Sequence, residues 1–381
     1  MKNFIIFITI ILLIYGLINY YIFIRGWQAI PKGSDLRIYY LIVFLFFSLS
    51  YILGRVLERY AISALSDILI WTGAFWLGLM VYFLLGILVL DLLRAVNYFT
   101  GFFPAFLTRD YTQTKYITAI TLTIVVVLTV LAGRINAITP QLKTLELKIP
   151  KKAHTQKTLN IVAASDIHLG TIIGNGRLIS LVEKINSLNP DIVLLPGDIV
   201  DEDLRPVIKE DLGGTLRKIK SRLGVFAITG NHEFYGGVSA ASRYLTDHGI
   251  TMMRDSVLKI DDNFYLVGRD DRTVNQVKKR KPLSELMEEV DKSYPVILMD
   301  HQPYELHEAE DNGIDFQISG HTHHGQLWPF NFITNQVYEL SWGFKKKGNA
   351  NIYVSSGFGG WGPPIRLGNR PEIVNIKLTF E

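Results

Sequence analysis

The sequence contains no cysteine. Disulfides and thiolate ligands are therefore excluded, and any metal site must be built from His, Asp, Glu and Asn side chains. The sequence also lacks an internal repeat of solenoid type and a low-complexity tract, which excludes repeat architectures. What remains is a chain of 381 residues, long enough to bury a sizeable core.

Charge is missing from four long stretches near the N-terminus. Residues 4–24, 38–54, 68–90 and 116–133 contain no Lys, Arg, Asp or Glu and are 21, 17, 23 and 18 residues long. About 20 apolar residues cross a bilayer. Three apolar stretches follow the first one and no small-x-small cleavage pattern does, which favours an anchor over a cleaved signal peptide. We predict four transmembrane helices in a multi-pass protein of the cell membrane; the alternative is a set of core helices of a soluble protein.

The basic residues beside these stretches do not decide the orientation in the membrane. With four spans, the N-terminus and the C-terminal region share one side. On that side lie Lys2, Arg55, Arg59, Arg134 and Lys143, and on the other lie Arg25, Lys32, Arg37, Arg94, Arg109 and Lys115. Five residues against six give no orientation by the positive-inside rule.

The net charge of +4 comes from the first part of the chain. Residues 1–150 hold 12 basic and 6 acidic residues, whereas residues 151–381 hold 27 basic and 29 acidic ones. The second part therefore lacks the basic excess that nucleic-acid binding requires. We expect no nucleic-acid partner, and we infer no obligate protein partner.

The chain changes character near Pro140 and Pro150, which divides it into a transmembrane region with its linker (1–150) and a second domain (151–381). In the second domain, short apolar strands alternate with predicted helices, among them 178–188 with its 3.6-residue apolar period and 211–223. Each strand ends in Asp, Asn or His. Because sites in open α/β sheets lie beyond the carboxyl ends of the strands, these polar ends indicate one site.

Five strand ends carry residue types that bind metals. In chain order they are Asp166-Ile167-His168, Gly197-Asp198, Gly230-Asn231-His232-Glu233, His301 and Gly320-His321-Thr322-His323. One such motif is weak, because a lone histidine is more often a satisfied core residue, but five in series are specific. Mixed nitrogen and oxygen donors suit Mn, Fe, Zn, Ni or Co rather than Ca or Mg. The three glycines are expected to let the chain turn sharply beside the metals.

This series resembles the pattern D-x-H, G-D, G-N-H-[ED], a lone His and G-H-x-H of the calcineurin-like metallophosphoesterase family, over residues 158–381. The resemblance implies a four-layer α/β/β/α sandwich with two divalent transition-metal ions, manganese first and iron, zinc, nickel or cobalt as alternatives. It assigns one metal to Asp166, His168 and His323, the second to Asn231, His301 and His321, and the bridge between them to Asp198. It makes His232 a non-ligand that contacts the phosphate and protonates the leaving oxygen.

The chemistry of two close cations supports these assignments. Two divalent ions about 3.5–4 Å apart clamp the phosphoryl oxygens and lower the pKa of a shared water. A bridging carboxylate screens the repulsion between them. We expect Glu233 and Asp300 to support the ligands rather than to take part directly.

A narrower resemblance concerns "SDIHLG", "GHTHHGQLWP" and "YVSSGFGGWGPPIRLGNRPEI". These segments are similar to a bacterial branch of membrane-associated or exported phosphoesterases, some of which hydrolyse the pyrophosphate of UDP-2,3-diacylglucosamine. That branch has G-H-T-H-G-G-Q, where this chain has His324 in place of a glycine; the extra imidazole either binds substrate phosphate or points to solvent. Arg366 is either a substrate-binding residue for a second phosphate or carboxylate, or a surface residue of a structural turn.

The sequence therefore predicts a membrane-anchored two-metal phosphoesterase that hydrolyses a phosphodiester or pyrophosphate bond. A lipid-linked phosphate ester is the most economical substrate, and membrane lipids are the expected surroundings. A transporter or sensor regulated by a phosphoesterase-like domain is the alternative, and it would place polar or broken-helix features in the spans. A domain that keeps the fold without its metals is disfavoured because all seven ligand types are present.

Overall fold

The structure is a computed structural model that describes residues 2–381, without the side chains of residues 2–5, 7 and 8. Four residues of the first predicted span (4, 5, 7 and 8) and Lys2, used above for orientation, lie outside the residues whose side chains are described. The chain divides into two compact units. The first comprises residues 1–134 and 362–365, and the second comprises residues 135–361 and 366–381.

Helices form the first unit. They are α1 (Lys2–Ala29), α2 (Leu36–Tyr60), α3 (Ala64–Thr100), α4 (Ala105–Arg109) and α5 (Tyr111–Ile138), the last four residues of α5 belonging to the second unit. By length and composition, α1, α2, α3 and α5 are able to cross a membrane. These helices are longer than the predicted spans because charged residues fit into their ends. In α2, for example, Arg55 donates to Glu58 at 2.8 Å, one turn further along.

Small and aromatic residues pack the helices of the first unit. A Cβ atom at Gly54 or Gly73 would collide with the neighbouring helix backbone, so these glycines bring α2 and α3 close together. Phe44 and Trp76 pack edge to face with ring centroids 5.0 Å apart. The Trp76 indole N–H donates to Asn19 Oδ1 at 2.9 Å, which satisfies the polar end of a buried ring.

Two six-stranded sheets form the centre of the second unit. The first has the order β1-β12-β2-β3-β4-β5 and the second the order β10-β11-β9-β8-β7-β6. Their bounds are β1 (Gln141–Ile149), β2 (Thr158–Ala163), β3 (Ile192–Pro196), β4 (Val225–Ile228), β5 (Thr251–Met252), β6 (Ser256–Ile260), β7 (Phe264–Gly268), β8 (Val296–Met299), β9 (Phe316–Ser319), β10 (Gly343–Lys347), β11 (Ala350–Val354) and β12 (Glu372–Phe380). Strands β2 to β5 are mutually parallel, as are β7, β8, β9 and β11.

Eight α-helices accompany the described strands of the second unit. They are α6 (Asn175–Ser187), α7 (Leu204–Lys209), α8 (Leu212–Leu216), α9 (Asn231–Gly236), α10 (Val238–Asp247), α11 (Leu283–Leu286), α12 (His307–Asp311) and α13 (Asn331–Val337), with 3-10 turns at Arg272–Gln276 and His323–Gly325. The helix predicted over 178–188 is confirmed as α6. The one predicted over 211–223 is wrong in length, because α8 covers only five residues. Two of these are glycines, which are poor helix formers.

Successive strand residues face two different cores, which produces four layers. Ile161 of β2 belongs to the core between the sheets, whereas its neighbour Val162 packs with Leu181 of α6 on the outer side. On the outer side of the second sheet, Leu298 of β8 packs with Leu286 of α11. The predicted α/β/β/α sandwich preceded by four apolar helices is therefore confirmed.

Candidate metal centre

The first group of candidate ligands comes from the loops after β2 and β9. Asp166, His168 and His323 are buried, and one ligand atom from each lies within 4.8 Å of the other two. The Nε2 atoms of His168 and His323 are 3.1 Å apart, and His323 Nε2 lies 3.5 Å from Asp166 Oδ1. These are the three residues that the family resemblance assigns to one metal.

The second group joins the loops after β3, β4, β8 and β9. Asp198, His301 and His321 form a second set of ligand atoms within 4.8 Å. Asn231 Oδ1 is 2.8 Å from His321 Nδ1 and 3.3 Å from His301 Nε2, so the amide oxygen belongs to this set. The Oδ2 atom of Asp198 lies 3.1 Å from His301 Nε2 and 3.8 Å from His168 Nε2. Asp198 therefore lies between the two groups, at the place predicted for a bridge.

The donor atoms of both groups fit divalent transition metals. Imidazole nitrogens and carboxylate or amide oxygens are the ligands that such ions prefer. Within residues 2–381, the buried atoms Asp166 Oδ2 and His168 Nδ1 have no hydrogen-bond partner, which is costly unless something else satisfies them. Two imidazole nitrogens facing each other beside a carboxylate are better satisfied by a shared cation than by one proton. Metal ligation by this set stays a prediction.

The backbone of the ligand loops is strained. Asp166, His168, Asp198, His321 and His323 all have positive φ, between 45° and 72°. Left-handed backbone is uncommon for residues other than glycine and costs about 1–3 kcal/mol at each position. Such strain persists where the surrounding structure fixes it, typically at functional sites. It turns successive ligand side chains toward one point.

The glycines that precede the candidate ligands have two different roles: one allows a sharp turn, and two leave space for carboxylate oxygens. Gly197 has φ +89°, as the predicted sharp turn requires, but Gly230 and Gly320 do not have positive φ. A Cβ atom at Gly230 would collide with Asp198 Oδ1, and one at Gly320 would collide with Asp166 Oδ2. These two glycines therefore let carboxylate ligands approach the neighbouring backbone closely.

His232 is held by Asp201, a residue that the sequence analysis did not identify. His232 Nδ1 lies 3.0 Å from Asp201 Oδ1. Burial by itself lowers the pKa of His232, but the Asp201 hydrogen bond and the nearby carboxylates outweigh it and raise the pKa to about 9. Burial raises the pKa of Asp201, but the nearby His168 ring, whose Nδ1 lies 3.7 Å from Asp201 Oδ1, and the hydrogen bond with His232 more than reverse this, so its pKa is well below the usual range. A protonated His232 facing the ligands is suited to be a proton donor.

The surroundings of His232 leave its predicted role open to test. One nitrogen of His232 also lies within 4.8 Å of ligand atoms of His168 and Asp198, so distance alone permits a third ligand group. Asp201 engages Nδ1, which leaves Nε2 as the atom that acts. The prediction that His232 is a non-ligand thus stays a prediction.

The two histidines of the second group, His301 and His321, have pKa values shifted in opposite directions. Burial lowers the pKa of His301, but the Asp198 carboxylate outweighs burial and raises it well above the usual range. Burial and the charge of His301 lower the pKa of His321 to about 4. His321 is thus neutral at physiological pH, the state in which an imidazole binds a metal.

Glu233 contacts a loop that carries a candidate ligand, whereas the Asp300 carboxylate pairs with two arginines, so the supporting role expected for Asp300 stays a prediction. The Glu233 carboxylate accepts from the backbone N–H groups of Asp198, Ile199, Val200 and Gly230 at 2.7–3.1 Å. It thereby fixes the loop that carries Asp198. Asp300 is buried between Arg269 (3.1 Å) and Arg280 (2.6 Å).

The structure argues against the predicted contact between Arg366 and substrate. Arg366 is 1% exposed. Its Nε and Nη2 donate to Gly359 O, its Nη1 to Ser356 O and Asn369 Oδ1, and its Nη2 also to His323 Nδ1, at 2.6–3.2 Å. All five N–H groups are thus used, and none is left for a phosphate. Because a guanidinium only donates, it makes His323 Nδ1 an acceptor and turns Nε2 toward the ligands.

Replacing Arg366 should therefore harm every substrate alike. Arg366→Ala leaves four buried acceptors without a donor, and at about 1–3 kcal/mol for each we expect a loss of about 3 kcal/mol or more in the free energy of unfolding. Hydrolysis of lipid-linked and aryl diesters should fall by the same factor. Denaturant unfolding of the full-length protein in detergent, together with kcat/KM on both substrates, measures this.

Arg370→Ala is the matched control, because Arg370 is exposed in the same loop. It should leave both quantities nearly unchanged. A loss confined to the lipid-linked substrate in Arg366→Ala would restore the substrate-binding role.

His324 packs beside the cluster rather than joining a ligand group. Its Nδ1 lies 2.9 Å from Ser341 Oγ, and its ring is 5.5 Å from that of Trp342. Burial lowers its pKa. Among the described residues, the three groups of candidate ligands do not include it. Its predicted role in substrate binding stays a prediction.

These residues and sheets describe an α/β protein with two groups of candidate metal ligands, and comparisons with known proteins identify its family. Residues 159–325 match the family described as calcineurin-like phosphoesterase. An uncharacterized metallophosphoesterase of Campylobacter jejuni is 30% identical over 391 residues, covering 98% of each chain. The chain belongs to the calcineurin-like metallophosphoesterase family, as its motifs predicted.

Two further relatives match part of the chain. An uncharacterized metallophosphoesterase of Helicobacter pylori is 31% identical over 242 residues, covering 63% of this chain and 64% of that protein. A transmembrane protein with metallophosphoesterase domain from Danio rerio is 31% identical over 261 residues, covering 65% of this chain and 59% of that protein. The chain therefore spans a little less than two thirds of the length of both. The resemblance to UDP-2,3-diacylglucosamine hydrolases is not confirmed.

Proposed function

We propose that this protein is a multi-pass membrane phosphoesterase that uses two metal ions to hydrolyse a phosphodiester or pyrophosphate bond, on a lipid-linked substrate. The observation that carries the hydrolytic part is the position of Asp198 between two ligand groups. When bound, two divalent ions stabilise charge on the phosphoryl oxygens and activate water. Family membership supports this class of reaction.

The chain's own residues would supply the proton for the leaving group. Asp201 holds Nδ1 of His232, so that Nε2 carries a proton toward the site. A positioned general acid of this kind assists the departure of a poor leaving group. Bound cations would lower the pKa of His232 from about 9 toward neutrality, the range in which proton transfer is efficient.

The four long apolar helices support a location in the cell membrane. They meet the length and composition needed for crossing, and one relative is named as a transmembrane protein. Buried polar side chains in these helices have partners within the protein: Asn19 accepts from Trp76, and Glu58 accepts from Arg55. These pairs are explained by helix packing, so the structure gives no specific support to a transporter.

An exposed apolar segment borders the metal cluster, and we call it the apolar rim. It consists of Trp328, Phe330, Phe332, Ile333 and Val337, which are 38–60% exposed. Large apolar patches on a protein surface mark membrane or partner contacts. The rim includes much of α13, whose start packs against Gly325 in the turn that carries His323. Tyr338 follows it directly, with its ring 6.0 Å from that of His321.

The position of the rim supports a lipid-linked substrate. An apolar surface beside a phosphoryl-binding cluster would hold the chain of a lipid while the phosphate reaches the ligands. The ligand groups recognise only phosphate, so selectivity must come from such neighbouring surface. With Arg366 fully engaged, the rim is the better candidate for this selectivity.

Removing apolar surface from the rim should reduce activity on lipid-linked substrates selectively. For Phe332→Ser with Ile333→Ser, we expect kcat/KM on a lipid-linked diester in liposomes to fall by about tenfold or more. Two large side chains that leave lipid for water readily account for the 1.4 kcal/mol this represents. Activity on soluble bis(p-nitrophenyl) phosphate should stay within about twofold, since the rim touches only the lipid.

The matched control removes similar apolar surface elsewhere on the second unit. Ile208 and Val277 are 54% and 85% exposed and lie outside the rim. Ile208→Ser with Val277→Ser should change neither activity. If wild-type protein in liposomes shows no preference for lipid-linked over soluble diesters, the lipid-substrate proposal fails, whereas the two-metal proposal survives.

A further inference from the structure

The first unit contains a cavity of about 1110 Å³ between α1, α2, α3 and α5. Its wall is made of aromatic and aliphatic side chains over much of its length. These include Ile22, Phe44, Phe47, Trp76, Leu79, Phe83, Leu122 and Val127. A cavity with such a wall fits a hydrocarbon chain.

Basic residues gather at one end of this cavity. The lining contains Arg25, Lys32, Arg37, Arg94 and Lys115, against one carboxylate, Asp91. These are five of the six basic residues that the sequence places on one side of the spans. They lie where α1 ends, α2 begins, α3 nears its end and α5 begins. In a membrane-spanning bundle, that is the level of the lipid headgroups.

The single carboxylate does not neutralise these cations. Asp91 pairs with both Arg25 and Arg94, so two guanidinium groups share one negative charge. Arg37 donates to the Ile30 carbonyl and lies over the Trp27 ring, and neither of these partners is anionic. Excess positive charge in a partly apolar environment requires an anion.

Two further observations show that basic groups at this end of the cavity are available to bind an anion. Within the part of the chain that the structure describes, Nε of Arg25 and Nε of Arg37 are buried without a hydrogen-bond partner. Lys32 and Lys115 have no carboxylate within 4 Å among the described side chains, and Lys115 lies over the Tyr111 ring instead. Guanidinium and ammonium groups with free donors bind phosphate oxygens.

We propose that this cavity binds one anionic lipid, with its phosphate at the basic end and an acyl chain along the apolar wall. The combination identifies the ligand class, because a free anion would not need the wall and a neutral lipid would not need the cations. None of the lining residues is a candidate metal ligand. The bound lipid is therefore distinct from a substrate at the metal centre, and the proposal does not depend on the proposed reaction.

Native mass spectrometry of the full-length protein in detergent tests this proposal. The probes are phosphatidylglycerol, phosphatidylcholine and inorganic phosphate. We expect one retained phosphatidylglycerol per chain, weaker retention of phosphatidylcholine, and no displacement by millimolar phosphate. Equal retention of the two lipids, or displacement by inorganic phosphate, would overturn the proposal.

A double variant tests the basic end directly. Arg37→Gln with Lys115→Gln leaves the pairing of Asp91 with Arg25 and Arg94 intact. Phosphatidylglycerol affinity should fall by about 10- to 30-fold, since each basic residue near an anionic lipid contributes on the order of 1 kcal/mol.

The control variant is Arg59→Gln with Arg109→Gln, which removes the same charge from helices of the first unit but not from the cavity lining. It should retain wild-type affinity. An equal loss in both double variants would refute the cavity as the site. If Arg37→Gln with Lys115→Gln fails to fold, the wild-type comparison of the two lipids decides alone.

Discussion

Asp198→Asn should lose most of its bound metal and its hydrolytic activity. The carboxylate lies between the two ligand groups, 3.1 Å from His301 and 3.8 Å from His168. An amide cannot screen the repulsion of two close cations. Loss of a residue that only supports a ligand costs about 10–100-fold in metal affinity or activity, so loss of a shared ligand should cost about 10²-fold or more. Elemental analysis after dialysis and hydrolysis of bis(p-nitrophenyl) phosphate measure the two effects.

The control for this variant is Asp261→Asn, at an exposed position of the second unit. It should retain about two metal ions per chain and wild-type activity. Full metal content in Asp198→Asn would contradict the assignment of Asp198 as the bridging ligand. Folding is checked separately by thermal unfolding, because Asp198 Oδ1 also accepts from the His232 backbone N–H at 2.9 Å.

His232→Ala should keep both metals and lose turnover on substrates with poor leaving groups. Loss of a positioned general acid lowers the rate by about 10²–10⁴-fold. The deficit should shrink for p-nitrophenyl esters, because p-nitrophenolate leaves without a proton. Comparing kcat for an alkyl and a p-nitrophenyl diester, alongside metal content, measures this difference.

Asp201 and His154 provide the comparison variants for His232. Asp201→Asn retains the ring while removing the charge that holds it, so the same substrate dependence should appear with a smaller loss. His154→Ala, at an exposed position, should change neither the turnover on either substrate nor the metal content. An equal loss on both substrate types, or a loss of metal, would reassign His232 to metal binding.

The strands and the cluster of candidate ligands could be predicted from the sequence because each depends on short stretches of consecutive residues. In residues 161–164, for example, the apolar run indicates a strand. Asp166 and His168, which follow it directly, mark the end of that strand and are themselves candidate ligands. Parallel strands bring such ends to one edge of a sheet without further information. The motifs after β2, β3, β4, β8 and β9 accordingly meet in the structure.

The contacts of single side chains were not predictable in this way. Arg366 lies 43 residues from His323 in the chain, and only the folded loop brings its guanidinium to the imidazole. A glycine-rich segment indicates turns, but it does not indicate which carbonyls will surround the Arg366 guanidinium. Asp201 was missed although it follows Asp198 by three residues. Its position just past a strand end was the available signal.

The predicted apolar spans are shorter than the helices that contain them, for a physical reason. Apolar spans stop at the first charge, whereas a helix continues as long as its backbone is satisfied. The second span was placed at 38–54, and α2 covers Leu36–Tyr60 because Arg55 and Glu58 pair along it. Hydropathy therefore locates the membrane core better than the ends of the helix.

The close approach of carboxylates to Gly230 and Gly320 has a consequence for recognising active members of the family. A relative that retains all seven candidate ligand residues but carries alanine at either position would place a methyl group where a carboxylate oxygen now lies. Its ligand signature would look intact while the metal centre was displaced. The absence of a side chain at Gly230 and Gly320 is thus as necessary for this arrangement as the carboxylates for which it leaves space.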